Sequence, residues 1–386
     1  MSAAPLAVYV HWPYCARICP YCDFNVVRDR SQAEQAGLAE AILADLAAQA
    51  ALIGPRRLVS VFFGGGTPSL MAPEQVARII EAARALWPPN EAADGAIEVT
   101  LEANPTDAEA GRFSSFAAAG VTRLSLGVQA LDDQALQALG RNHDAAEARR
   151  AAELARRCFP KLSLDLIYAL PGQTPPAWAA AIEAALAFSP DHLSPYQLTI
   201  EPGTAFDRAV RRGTLTPPSG DQAATLYETT QDVLAAHGFE AYEVSNHARG
   251  REARSRHNLA YWRGEDYLGA GPGAHGRLAI AGARTATLAA AKPRDYIAAV
   301  RNAGVGFVER EALSPREAAL ERLLMGLRLS DGVAWPELSP LNLSAESPAA
   351  RDLAGHGLVE LGAARLSATA RGRAVLDRVV EALADG

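Results

Sequence analysis

Cysteine and lysine are both scarce in this chain. Four cysteines and two lysines, Lys161 and Lys292, occur in 386 residues, so the sequence offers no disulfide framework and no lysine-rich surface. A net charge of -7 argues against the basic footprint of a nucleic-acid binder. No run of eighteen apolar residues occurs, and Met1 to Val10 shows no basic leader followed by an apolar stretch of signal length. The expectation is a cytoplasmic protein that does not span a membrane, in a compartment where thiols stay reduced. Apolar residues at 49% and charged residues at 21% are ordinary for a globular chain, and the length suits a barrel with an appendage.

The few cysteines are not scattered. Cys15, Cys19 and Cys22 follow the short apolar run Leu6 to His11 with spacing C-x3-C-x2-C, while Cys158 stands alone at a predicted helix end, where a small hydrophobe suffices. Three thiolates on one loop can hold three corners of a 4Fe-4S cluster and leave the fourth iron free to bind a small molecule. A zinc site would want a fourth ligand at short spacing, which only His11 approaches, and a disulfide would orphan one of the three. The cluster is the preferred reading, with zinc the alternative.

Apolar runs then alternate with helical patterns. Predicted strands at Leu6 to His11, Leu58 to Phe63, Ala96 to Ala103, Arg123 to Val128, Leu162 to Tyr168 and His192 to Leu198 are separated by helical stretches, including one over Asp107 to Ala119. This alternation predicts an α/β fold of parallel βαβ units, a partial (β/α)6 barrel of TIM type. Loops leaving the strand ends would then gather Gly64-Gly65-Gly66-Thr67-Pro68, Glu102, Gln129, Arg141 and Asp165 on one face. Taken singly, each has a plainer explanation: a glycine turn, a solvated carboxylate, a helix-end cation. Asp165, among apolar neighbours, would need donors. Helices after residue 290 and a hairpin at Gly357 to Ser367 suggest a smaller C-terminal α+β module of winged-helix type. The expected division is 1–205 for the barrel, 206–290 for its completion, and 291–386 for the module.

The cysteine loop, with Tyr21 before its last cysteine, resembles the radical S-adenosylmethionine (SAM) superfamily. Tyr9-Val10-His11-Trp12-Pro13-Tyr14-Cys15 and Cys22-Asp23-Phe24-Asn25 resemble its branch related to the oxygen-independent coproporphyrinogen III oxidase. That resemblance implies a 4Fe-4S cluster on Cys15, Cys19 and Cys22, whose open iron holds SAM and whose reduction cleaves it. It also implies SAM contacts from Tyr9, Tyr21, Gly65, Gly66, Thr67, Glu102, Gln129, Arg141 and Asp165, with the last near the ribose.

A second resemblance lies in His257-Asn258-Leu259-Ala260-Tyr261-Trp262, which fits the His-Asn-x-x-Tyr-Trp of the HemW haem-chaperone group within that branch. It implies haem as cargo, with His257 the leading ligand and Tyr261 and Trp262 beside the ring, although His247 and His275 also stand nearby. The implied partners are haem, a client apo-haem protein such as a respiratory enzyme, and an electron donor if SAM is cleaved. Peripheral membrane docking and a homodimer stay open. The alternative is the oxidase activity itself, oxidative decarboxylation of the propionates of coproporphyrinogen III. Against it, Phe24 stands where the oxidase motif continues to a fourth cysteine. A third reading gives the same SAM apparatus an unrelated substrate.

Overall fold

The computed structural model describes residues 3–28, 31–107 and 110–385. Six strands, β1 (Pro5–Trp12), β2 (Arg57–Gly65), β3 (Glu98–Ala103), β4 (Arg123–Gln129), β5 (Lys161–Tyr168) and β6 (His192–Gln197), lie side by side in chain order, each parallel to the next. Five helices return the chain between them: α1 (Gln32–Ile53), α2 (Pro73–Leu86), α3 (Ala110–Ala118), α4 (Ala145–Cys158) and α5 (Pro175–Leu186). The partial barrel expected from the alternation is therefore present. The helix expected from Asp107 begins at Ala110 after a short 3-10 turn over Pro105–Asp107, and residues 108 and 109 lie outside the described residues.

Local chemistry starts these helices where the pattern placed them. Ser31 accepts a hydrogen bond from the backbone N–H of Glu34, and Asp144 with Glu147 closes a reciprocal capping box on α4. Among the described residues one helix, α1, is long and apolar enough to cross a membrane. Its Leu38, Ile42 and Leu46 are fully buried on one stripe, the packing of a core helix.

The sequence reading missed a strand. β7 (Asp266–Ala270) pairs parallel to the free flank of β1, from Leu6↔Asp266 to Val10↔Ala270, in a glycine-rich stretch to which the sequence pattern assigns no element. Close packing explains the glycines: a Cβ at Gly269 would lie 2.2 Å from the carbonyl oxygen of His275, and one at Gly271 2.2 Å from that of His11. Three antiparallel strands, β8 (His275–Ile280), β9 (Ala283–Ala289) and β10 (Phe307–Ala312), extend the sheet.

The expected boundary at residue 291 also moves. The helix Pro293–Ala303 and strand β10 pack with the barrel, because Tyr296 Oη and the Gly306 N–H donate to the buried Asp45 carboxylate at 2.7 and 2.9 Å. A separate core begins near Ala319 and runs through Leu323, Leu338, Leu366 and Val379 to Leu383. Its small sheet has three strands, not a lone hairpin: Val333–Ala334 joins Arg365–Ala368 and Val359–Leu361. Arg328 ties this module to the barrel through Glu243 at 2.9 Å, and Arg277 reaches Glu321 at 2.7 Å.

Candidate metal-cluster and cofactor site

A cavity of about 390 Å³ opens at the C-terminal ends of the strands, where a barrel of this kind presents its chemistry. Cys15, Cys19 and Cys22 line one side of it, and none is in a disulfide. Thr67 Oγ1 donates to Cys15 Sγ at 3.4 Å, and Arg141 Nη1 donates to Cys19 Sγ and Tyr21 Oη, each at 3.4 Å. Donors aimed at sulfur suit thiolates. Burial pushes the Cys22 thiol up to about 11, a proton that iron binding has to displace. Among the described residues no three His, Cys, Asp or Glu side chains converge as a single-ion site requires. A cubane makes no such demand, since each cysteine binds a different iron.

The second wall is backbone. β2 ends in Gly64-Gly65, and a Cβ at Gly65, whose φ is +108°, would lie 2.5 Å from the His11 ring. At Gly66 a Cβ would fall 2.7 Å from the Tyr14 carbonyl oxygen. Only glycine lets this segment lie against the cysteine loop, and its exposed peptide edge faces the cavity. The Gly65 N–H donates to Glu102 Oε2 at 3.1 Å.

The remaining walls carry charge. Burial, then the nearby Asp165 carboxylate, raises Glu102 to about 8, while the Gly65 N–H pulls it down in part. Burial raises Asp165 to about 6 against hydrogen bonds from Ser194 and Ser125, the latter at 3.1 Å. These serines are the donors a buried acid requires. Gln129 ends β4 with φ +65°, a rare conformation for a side-chain-bearing residue and one found at binding sites. Tyr196 and Gln197, at the end of β6, reach the same cavity.

The sequence reading passed over Asn104 as a strand terminator. Its Oδ1 accepts from Arg141 Nη2 and its Nδ2 donates to Thr67 Oγ1 at 3.0 Å, so it links the cation to the glycine strip. The Asn-Pro that stops β3 was the visible signal. Asn25 was likewise missed as a hinge: Nδ2 donates to Pro272 O and Ala291 O at 2.9 and 2.8 Å, and its carbonyl meets His11 Nε2 at 2.8 Å.

Four residues expected to contact ligands are not among those that line the cavity. Tyr9 lies behind the cavity wall, its hydroxyl 3.1 Å from His11 Nδ1 and its ring beside Phe62. His257 is 3% exposed, with Nδ1 on Ser60 Oγ at 3.0 Å and its ring 4.9 Å from those of Phe62 and Tyr261. Burial lowers it to about 3. Tyr261 stacks on Tyr267 at 3.9 Å, and the Arg328 guanidinium covers Trp262 at 4.5 Å. The reason is topological: the helix α6 (Arg256–Trp262), capped by Ser255, packs against β1, β2 and β7 at the N-terminal floor of the barrel. His257, Tyr261 and Trp262 pack here against the barrel, while Asn258 of the same motif lines the cavity.

Fold and site define a radical SAM-type partial barrel with a three-cysteine loop. The radical SAM superfamily model matches residues 9–185 and the HemN C-terminal domain model matches residues 313–375. The Bos taurus protein named radical S-adenosyl methionine domain-containing protein 1, mitochondrial, is 41% identical over 98% of this chain and 87% of its own length. Heme chaperone HemW of Bacillus subtilis is 34% identical over 95% of this chain and 96% of its own. Among solved structures, the Escherichia coli coproporphyrinogen III oxidase HemN superposes with TM-score 0.79 at 23% identity, covering 99% of this chain and 90% of that one, a likeness of fold. The chain belongs to the HemW group of the radical SAM superfamily.

Membership implies a 4Fe-4S cluster and SAM, and the residues present fit both. Three thiols share one cavity, a glycine strip admits a ligand's polar end, and two acids that burial has left hard to ionise await a cation.

Proposed function

We propose that this chain is a haem chaperone: it binds haem and hands it to client apo-haem proteins, on a scaffold that holds a 4Fe-4S cluster and SAM. The observation that carries this reading is the end-to-end match to heme chaperone HemW, which spans 95% of this chain and 96% of that protein and so includes the C-terminal module as well as the barrel. Phe24 supports it, since a phenyl group stands on the cysteine loop where the oxidase motif has a further thiol.

When bound, the cluster offers an iron without a protein ligand for the amino and carboxylate groups of SAM, and an electron for its cleavage. The chain's own work is to hold and shield. Cys15, Cys19 and Cys22 fix the cluster, and Arg141 keeps positive charge on Cys19. Gly65, Gly66 and Thr67 present backbone to the methionyl end, Glu102 offsets ligand cation, and Asp165 receives the ribose hydroxyls while Ser125 and Ser194 hold it. Tyr21, Gln129 and Tyr196 close the sides. The compartment we propose is the cytoplasm, which keeps the thiols reduced.

The test is a haem titration of the anaerobically reconstituted chain, followed by gel filtration and a count of retained haem. Stoichiometric retention supports the proposal. No retention, with turnover of coproporphyrinogen III in the presence of SAM and a reductant, establishes the oxidase reading instead.

A further inference from the structure

Haem iron needs an imidazole that is both accessible and free at one nitrogen, and the structure offers few. His11 and His192 have both ring nitrogens engaged by neighbours, and His143, His247 and His257 are buried. His237 is bonded to Val233 O at 2.9 Å and lies 3.2 Å from Glu183. His356 sits on the C-terminal module, with Nδ1 bonded to Asp352 O at 2.9 Å. His275, at the start of β8, is exposed, and its ring makes no hydrogen bond to a described residue.

Its position matters more than its freedom. The turn that leads into β8 is fastened to the cysteine loop by Asn25, which donates to Pro272 O, and a Cβ at Gly273 would lie 2.4 Å from Asn25 Nδ2. The same turn lies against His11, the residue beside Gly65, since a Cβ at Gly271 would fall 2.2 Å from the His11 carbonyl oxygen. The residue next to Asn25 is Phe24, 61% exposed, a large aromatic side chain that the fold leaves in water at the edge of the cluster loop. An unpaired imidazole and an unpaired phenyl thus flank one joint. Partial burial, then the neighbouring Arg277 cation, hold His275 below its ordinary range, which keeps its lone pair available near neutral pH.

Resting on the haem reading above, we propose that haem docks on this rim, with the His275 imidazole as the axial ligand of its iron and Phe24 against the macrocycle. Phe24 also lines the lip of the SAM cavity, whereas His275 lies outside that lining, so the haem face adjoins the cavity without filling it. Cargo and cluster then share one loop: Phe24 is two residues from Cys22, so occupancy of one is felt by the segment that holds the other.

The experiment titrates the full chain, with its cluster reconstituted anaerobically, with ferric haem, following the Soret band and the ferric electron paramagnetic resonance signal. His275→Ala should bind roughly tenfold more weakly or worse, the loss that even an outer partner of a metal ligand causes. It should also lose the histidine-ligated spectrum and regain it on addition of free imidazole, while the cluster absorption stays as in wild type. Phe24→Ala should weaken binding several-fold without changing the ligand signature. Unaltered affinity and spectrum in His275→Ala overturn this inference and leave the chaperone reading standing. Failure of the wild-type chain to bind haem overturns both.

Discussion

At the C-terminal end of the strands, the Glu102 and Asp165 carboxylates face a cavity with no ion pair among the described residues; at the N-terminal end, the Glu98 carboxylate is as deeply buried but meets Arg123. Arg123 Nη2 donates to Glu98 Oε2 at 2.8 Å, each side chain 2% exposed, and also caps Ala253 O at 2.9 Å. Burial alone would raise Glu98, yet the Arg123 pair more than offsets it and holds the carboxyl below its usual range. Glu102, four residues along the same strand, has no cation in contact and is raised to about 8. Partnered charge marks the floor, and charge left for a ligand marks the mouth. The distinction separates scaffold from site better than residue type does, because both ends hold histidine, arginine and carboxylate.

Breaking the mouth should have the largest consequence for function. Replacing Cys15, Cys19 or Cys22 with Ala should abolish the broad visible absorption of the reconstituted cluster, with the fold retained by circular dichroism. A spectrum like that of wild type in any of the three contradicts the assignment of that thiol.

Breaking the floor should cost stability instead. Arg123→Met strands the Glu98 carboxylate in the interior and should destabilise the chain by about 3–5 kcal/mol in urea unfolding. A loss within the range of an ordinary surface substitution contradicts the floor assignment. His257→Ala removes a buried ring and its bond to Ser60, and should cost about 2–3 kcal/mol. Haem bound per folded chain should not change. Selective loss of haem at unaltered stability would return the axial ligand to His257.

The smallest effect sharpens the contrast by pH. A cationic ligand binds better once its acids are ionised; Asp165 at about 6 and Glu102 at about 8 are protonated below those values. SAM affinity should therefore rise between pH 6 and pH 8, with proton release on binding that in Glu102→Gln is lost near pH 8 and persists only near pH 6, where Asp165 titrates. Calorimetry in two buffers of different ionisation enthalpy reads this directly, and a flat profile contradicts a cationic ligand beside Glu102.

The sequence made the mouth legible because its parts are local. Three cysteines in eight residues and three consecutive glycines after a strand can be read without knowing what they touch. The six barrel strands were equally plain from alternation. The floor was not legible, since Glu98 meets Arg123 and Ser60 meets His257 only after the strands are laid side by side. The surroundings of His257 were hidden for the same reason: an aromatic-histidine cluster looks alike in sequence whether it packs or binds, and only the fold shows the ring buried against Ser60 and Phe62. β7 was lost because the sequence pattern assigns no element around Gly269 and Gly271, whereas close approach of His275 and His11 is what demands these glycines.

The most direct test of the central claim is transfer. Haem-loaded chain, with its cluster in place, is mixed with an apo-haem protein and the two are separated by size. The account predicts that haem leaves with the acceptor and that the acceptor regains its native spectrum. Haem that stays on the chain, or that reaches the acceptor no faster than free haem does, contradicts a chaperone.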